Sequence, residues 1–545
     1  MRSLIATLLL LGMISTAALA QQSNEPKKEK KPKEPDATKA QQMQPPTKPP
    51  EMPAAVPDET KSDTGKTDKD DKDEHYDMKE VPPVVTHHQI TLNGKALNYT
   101  ATTGRLPIKR GDGRIEAEMI FVAYTLDGQE TATRPLSFAF NGGPGSASIW
   151  LHLGALGPKR VVTPNDASMP TAPYAVADNP HSWFEHFDLV FIDPPHTGWS
   201  TTASLDARKK MLSVDGDVAA LADVMRVWLT RHKRWGSPVY LAGESYGTTR
   251  GAALADKLQG AGVALSGLIL ISCAMDLQSV VFCPANDLPY SLFLPAFANV
   301  SQYHGLLKGA LAKSPAAARA AAEAFVHDDY VAALQAGARL DGKARTRIAR
   351  RIAELTGLPQ ALVEEKNLRV SELTYFFEAL RPQGRIVGRL DARATGPMAA
   401  SRTRDWEFDP GIEAIASPYT MAAMAYFGEQ LGMSTELRYE VLAMDVHKGW
   451  DWNRGEAKGN SFATTSRDLA RALRRNPHLK VFVGSGRYDL GTPYSATDWS
   501  LAQLDAPAEV LTRVQHHYYD AGHMMYTREE ELTQLKADLV AWLGA

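Results

Sequence analysis

The sequence predicts an α/β chain with a mostly parallel central sheet, antiparallel strands on its N-terminal side and a helical cap inserted late. Three observations carry this. Continuous apolar runs of strand length occur at Leu136 to Phe140, Leu189 to Ile192, Val239 to Ala242, Leu268 to Ile271 and Val481 to Val483, as in strands covered on both faces. Between the second and third of these, Val214, Val218, Leu221, Met225 and Trp228 recur at helical spacing. From residue 296 to 432 the alternation gives way to Ala-rich and basic amphipathic stretches, such as Ala316 to Ala324 and Ala344 to Leu355, that read as successive helices.

The N-terminus begins with Arg2, runs through the apolar stretch Leu4 to Ile14 and closes on Ala18-Leu19-Ala20. That is the three-part pattern of a secretory signal peptide, so residues 1–20 are expected to be removed and the protein to be periplasmic or secreted. The apolar stretch is short for a membrane span, and no later run is long enough, so no stable membrane insertion is expected. Residues 21–87 are rich in Lys, Glu, Asp, Pro, Gln and Thr and poor in residues that build a core. They read first as a disordered, solvated tether and second as a point of contact with the envelope.

From residue 88 short alternating runs, Gln89 to Leu92 and Ala117 to Tyr124, open the sheet as antiparallel strands. Residues 88–295 then form the N-terminal part of the core, 296–432 the cap, expected to lie over the site as a lid, and 433–545 the C-terminal part. A formal net charge of -3 and a pI near 6.6 leave no basic surplus for tracking phosphates, so no nucleic-acid partner is expected. The two cysteines, Cys273 and Cys283, are too few for a structural zinc site; a local disulfide and two thiols both remain open. The pair His516-His517 lies in an alternating run that sends neighbouring side chains to opposite faces, which favours structure over metal binding.

The chemistry is concentrated in a few loops. Gly243-Glu244-Ser245-Tyr246-Gly247 follows an apolar strand and precedes a helical stretch, the setting of a nucleophile elbow with Ser245 at its tip. A serine hydroxyl needs an imidazole to accept its proton and a carboxylate to orient that imidazole. Asp489, in the loop after Val481 to Val483, and His523, in Gly522-His523-Met524 before a terminal helix, supply them in the order expected of an α/β-hydrolase fold. Asn141-Gly142-Gly143-Pro144-Gly145-Ser146 follows another strand, and its glycines allow a backbone N–H to approach a developing oxyanion.

Together with Asn179-Pro180-His181-Ser182-Trp183 and Ile192-Asp193-Pro194, these motifs resemble the serine carboxypeptidase family, exopeptidases of the α/β-hydrolase fold. The resemblance implies Ser245 as nucleophile, His523 as general base and acid, Asp489 as the orienting carboxylate, and Gly143 and Tyr246 N–H groups as the oxyanion hole. It further implies that Asn141 and Glu244 read the substrate's free C-terminal carboxylate, for which Glu244 must be protonated, so that activity favours acid. The expected partner is a peptide with a free C-terminus, and no metal or organic cofactor is implied. Trp150 and the cap residues Tyr375, Phe376 and Phe377 are candidates for an apolar side-chain pocket.

Two departures from the family pattern stand out. Gly154-Ala155-Leu156-Gly157-Pro158 places Ala155 where the family has a second acid, and His196 stands where a glycine is usual and reads as a surface-loop residue. The loss at Ala155 keeps an esterase or acyltransferase on the same triad in play. A non-catalytic envelope-binding protein is the reading from a different class.

Overall fold

The structure, a computed structural model, describes residues 76–455 and 461–544. The expected signal peptide and most of the expected tether lie outside the described residues.

The sheet is built from β1 (Val84–Leu92), β2 (Lys95–Lys109), β3 (Ile115–Leu126), β4 (Leu136–Phe140), β5 (Asp188–Ile192), β6 (Val239–Glu244), β7 (Leu265–Ile271), β8 (Lys480–Gly486) and β9 (Val514–Tyr519). Their order across it is β1-β2-β3-β5-β4-β6-β7-β8-β9, with the short strand Thr201–Thr202 paired to β3. The pairings from β1 through β3 to β5 are antiparallel, and every later one is parallel. The expected tether thus ends earlier than residue 87, because Val84 and Val85 already pair with Thr103 and Thr102. Asn93 and Gly94, both at positive φ, make the two-residue turn that matches the twist of the β1–β2 hairpin.

Strand alternation divides the core between the two sheet faces. Leu136, Phe138 and Phe140 pack on one side with Leu221, Trp228 and Leu254, whereas Ala139 faces the other. Phe138 and Trp228 meet edge to face at 5.5 Å. On the opposite face Trp542, from the C-terminal helix Glu529–Gly544, packs against Tyr240 and Phe482. Helix α1 (Val214–Arg231) starts where Ser213 accepts from Gly216 N–H, with Asp215 and Asp217 in its positive first turn.

The cap departs from the expected boundaries at both ends. Its first helix, α3 (Leu288–Tyr303), runs through residue 296, because the apolar repeat Phe293, Phe297 and Val300 is one continuous buried face. At the far end Pro410–Glu429 is a helix whose Tyr419, Ala422 and Tyr426 belong to the sheet-side core, so this segment is part of the hydrolase body. Tyr375, Phe376 and Phe377 are buried, and the ring of Tyr375 stacks on Phe297 at 4.2 Å. They form the cap's own core and not a substrate pocket. Tyr488, Leu490 and Tyr494, from the loop that carries Asp489, join the same apolar cluster, so cap and loop share one packed interior.

Cys273 and Cys283 are both free thiols; burial pushes Cys273 up to about 12. Among the described residues no group of His, Cys, Asp and Glu is arranged to hold a metal, and no helix is long and apolar enough to cross a membrane. His516 and His517 go to opposite sides of β9. His516 bonds Asp498 and Ser485, each at 2.9 Å, and His517 stacks on Phe482.

Candidate active site

The turn from β6 into helix α2 (Tyr246–Gly260) places Ser245 at φ 60° and ψ -129°, a backbone state that non-glycine residues rarely adopt. Ser245 is also the N-cap of this helix, yet its side chain caps nothing. An N-cap serine ordinarily spends its oxygen on the first-turn amides; here the strained turn leaves the hydroxyl uncommitted to the helix.

The glycines explain how the turn is tolerated. A Cβ on Gly243 would stand 2.2 Å from the Gly247 carbonyl oxygen, and one on Gly142 would stand 2.4 Å from Tyr246 N and 2.5 Å from Gly247 N. The glycine motif therefore lies directly on the start of α2, beside the Tyr246 N–H expected in the oxyanion hole. Gly143, at φ 103°, turns the chain there.

A buried cation locks this arrangement. Arg250 of α2 donates to the Asn141 carbonyl at 2.6 Å and to Asp217 Oδ2 at 2.7 Å, and Tyr246 Oη donates to the same oxygen at 3.2 Å. The guanidinium lies over the rings of Phe140 and Tyr246. Asp193, of the Ile192-Asp193-Pro194 segment, accepts from Ser148 N–H at 2.8 Å and from Tyr439 Oη at 2.8 Å, fixing the far end of the glycine motif.

Asp489 and His523 meet at the C-terminal ends of the parallel strands. His523 Nδ1 and Asp489 Oδ2 are 2.7 Å apart, and the carboxylate is fully buried. Asp489 Oδ1 also accepts from Gly491 N–H at 2.7 Å and Thr492 N–H at 2.9 Å, and Oδ2 accepts from the Thr492 hydroxyl at 2.7 Å. Burial alone would raise Asp489, but the charge of His523 and these donors bring it below the usual range. Burial likewise pulls His523 down, and Asp489 outweighs it to leave the imidazole raised. Thr492 was not legible as a site residue; a hydroxyl three positions after a loop Asp is the one signal that pointed to it.

The backbone ties these loops to the elbow. Ser245 N–H donates to the Ile271 carbonyl at 2.9 Å, Ser272 N–H to the Gly484 carbonyl at 2.8 Å, and the Ser272 hydroxyl to the His523 carbonyl at 2.6 Å. The carboxyl of Glu244, one residue before Ser245, in turn feels the charges of His523 and Asp489.

Glu244 is 1% exposed and is pushed up to about 7, chiefly by burial. Asn141 Nδ2 donates to its Oε1 at 2.8 Å, and Tyr526 Oη donates to Oε2 at 2.5 Å. Asn141 Oδ1 accepts from Leu151 N–H at 3.0 Å, which fixes the amide's orientation. Tyr526 is the residue that sequence reasoning missed. It lies three positions after His523 and has no meaning as a motif, because its ring reaches Glu244 only by packing over Gly154, where a Cβ would stand 2.4 Å from it. Ala155 is fully buried beside it, so the place of the second acid is occupied by core packing.

Two expected site residues sit differently. Trp150 is buried, its indole N–H bonds Ser146 Oγ at 2.9 Å and its ring packs against Tyr419, so it supports the glycine motif from within the core. His196 is half-buried at positive φ, bonded to Thr202 and pushed down to about 4 by burial, so it is not a free surface histidine.

The family model described as serine carboxypeptidase matches residues 102–276, a segment that holds the glycine motif and the elbow. By that segment the chain is similar to the serine carboxypeptidases, a class of hydrolases. Kex1, a prohormone-processing carboxypeptidase from Saccharomyces cerevisiae, aligns with a TM-score of 0.51 at 15% identity, covering 82% of this chain and 91% of that one, which bears on the fold. A lipase in its open form aligns more loosely, with a TM-score of 0.29 at 14% identity over 81% of this chain and 98% of that one. A soluble variant of monoglyceride lipase from Saccharomyces cerevisiae gives 0.31 at 11% over 86% and 97%. The fold is that of the α/β-hydrolases, a mostly parallel sheet with antiparallel N-terminal strands.

Proposed function

We propose that the protein removes C-terminal residues from peptides through an acyl-enzyme on Ser245. Ser245 Oγ attacks the carbonyl carbon of the last peptide bond while His523 takes its proton, and Asp489 holds the resulting imidazolium. The N–H groups of Gly143 and Tyr246 stabilise the oxyanion. His523 then protonates the leaving amine, the terminal amino acid departs, and water releases the acyl chain by the same steps in reverse.

One observation carries the exopeptidase reading: a buried Glu244, largely protonated below pH 7, bonded to Asn141 and adjoining the nucleophile. A neutral carboxyl can donate a hydrogen bond to a substrate carboxylate, and an ionised one would repel it. We further propose export to the periplasm or the exterior, on the signal-like residues 1–20, with the charged, Pro-rich residues before the first strand as a solvated spacer first and an envelope contact second. Ala155 favours the second reading, an esterase or acyltransferase, since one carboxylate-recognising acid is missing.

Mass-spectrometric digestion of a free-acid peptide and its C-terminally amidated twin, with Ser245→Ala alongside, tests the function. Stepwise loss from the free acid alone, absent in the variant, is the expected result. Equal processing of the twins would remove the exopeptidase reading; if neither is cut, esters become the next substrates to test.

A further inference from the structure

Arg389 lies in the turn between the two short cap strands Arg385–Val387 and Thr395–Pro397. Its backbone is pinned from two directions. The N–H groups of Arg389 and Leu390 donate to the Asp409 carboxylate at 2.8 and 3.1 Å, and the Arg389 carbonyl accepts from Leu490 N–H at 3.0 Å, next to Asp489. The following carbonyl, of Leu390, accepts from His523 N–H at 2.6 Å. A Cβ on Gly491, the residue whose N–H holds Asp489 Oδ1, would stand 3.4 Å from the Arg389 guanidinium carbon.

The cation therefore stands on the loops that carry the candidate acid and base. Its charge also reaches exposed His447, near Pro144 of the glycine motif. Arg389 is itself exposed, and among the described residues no carboxylate forms an ion pair with its guanidinium. Two acids feel its charge without neutralising it. Both oxygens of Asp409 are occupied by backbone N–H groups, of Arg389, Leu390 and Gly411, and Glu372 is pushed up to about 7 by burial, against the pull of Arg389. An exposed, unpaired cation beside the candidate acid and base has a use when the substrate brings the anion.

We propose that Arg389 selects peptides with an acidic side chain beside the bond that is cut. This rests on the peptide-cleaving reading above. It goes beyond terminal-carboxylate recognition, which Asn141 and Glu244 would perform on the substrate's backbone end.

The test compares kcat/KM for N-acylated dipeptides that carry Glu or Gln on either side of the scissile bond, together with N-acyl-glutamyl and N-acyl-glutaminyl methyl esters. At pH 6 the substrate glutamate is ionised whereas Glu244 and Glu372 are largely neutral. The parent enzyme should favour Glu over Gln by about five- to tenfold at low salt, the scale of one exposed charge contact, and less at high salt. The ratio should fall to about one in Arg389→Ala, survive in Arg389→Lys and drop below one in Arg389→Glu. A ratio of one in the parent, or an unchanged ratio in Arg389→Ala, overturns the proposal. If the parent cuts no peptide, the carboxypeptidase reading fails by itself; the ester pair then decides the role of Arg389, and equal ester rates overturn it.

Discussion

Replacing Glu244 with Gln separates carboxylate recognition from the rest of the chemistry. Free-acid and amidated peptides meet the same His523, so the ratio of their kcat/KM values cancels the titration of the imidazole and retains that of the group reading the terminal carboxylate. With Glu244 at about 7, roughly nine-tenths of it is protonated at pH 6 and about one-tenth at pH 8. The acid-to-amide ratio in the parent should therefore fall about tenfold between these values. Gln keeps a neutral donor at the same place and does not titrate, so the variant's ratio should stay level. The assay is quantitative mass spectrometry of both peptides across pH 5–9. A ratio independent of pH in the parent, or the same fall in Glu244→Gln, would refute the argument that a neutral Glu244 reads the substrate. The same substitution has a stability signature. A carboxyl raised in the fold contributes most below its unfolded value near 4.5 and loses that contribution as pH rises through about 7, a difference of about 3 kcal/mol at pH 8. Glu244→Gln should thus raise Tm at pH 8 and leave it nearly level at pH 4, as scanning calorimetry would read.

The remaining expectations concern the supports of the site. Asp489→Asn should keep the fold, checked by circular dichroism, and lower kcat about 10⁴-fold, because the imidazole loses the carboxylate that sets its tautomer; activity near the parent level would remove Asp489 from the triad. Tyr526→Phe removes a donor that lowers Glu244, so the fall in the acid-to-amide ratio should move to higher pH; an unmoved midpoint would show that the tyrosine only packs. Arg250→Met leaves Asp217 buried without its partner and should cost about 3–5 kcal/mol by denaturant unfolding. Gly142→Ala puts a methyl against Tyr246 N and should abolish turnover, read alongside the loss of Ser245 labelling by an active-serine probe.

Much of the fold was legible because parallel strands covered on both faces are written as uninterrupted apolar runs: Leu136 to Phe140 is β4 residue for residue, and Val214 to Arg231 is the helix its spacing announced. The strained turn at Ser245 was legible for a local reason as well, since it needs glycines at fixed positions on either side. Asp489 and His523 could be nominated only by order and loop context; their 2.7 Å contact depends on two adjacent parallel strands, β8 and β9, delivering loops to the same sheet edge. The cap's boundaries and the fates of Trp150 and Tyr375 lay beyond sequence patterns, because an aromatic residue reads the same whether it fills a core or lines a cleft. The elevated pKa of Glu244, the hydroxyl of Tyr526 on it and the exposed charge of Arg389 beside His523 exist only once segments more than 100 residues apart are packed together. Sequence by itself determined the class of chemistry, through the backbone demands of the elbow and the glycine motif. Tertiary structure alone decided what that chemistry meets, because burial and electrostatic environment are properties of the assembled neighbours and not of the chain order.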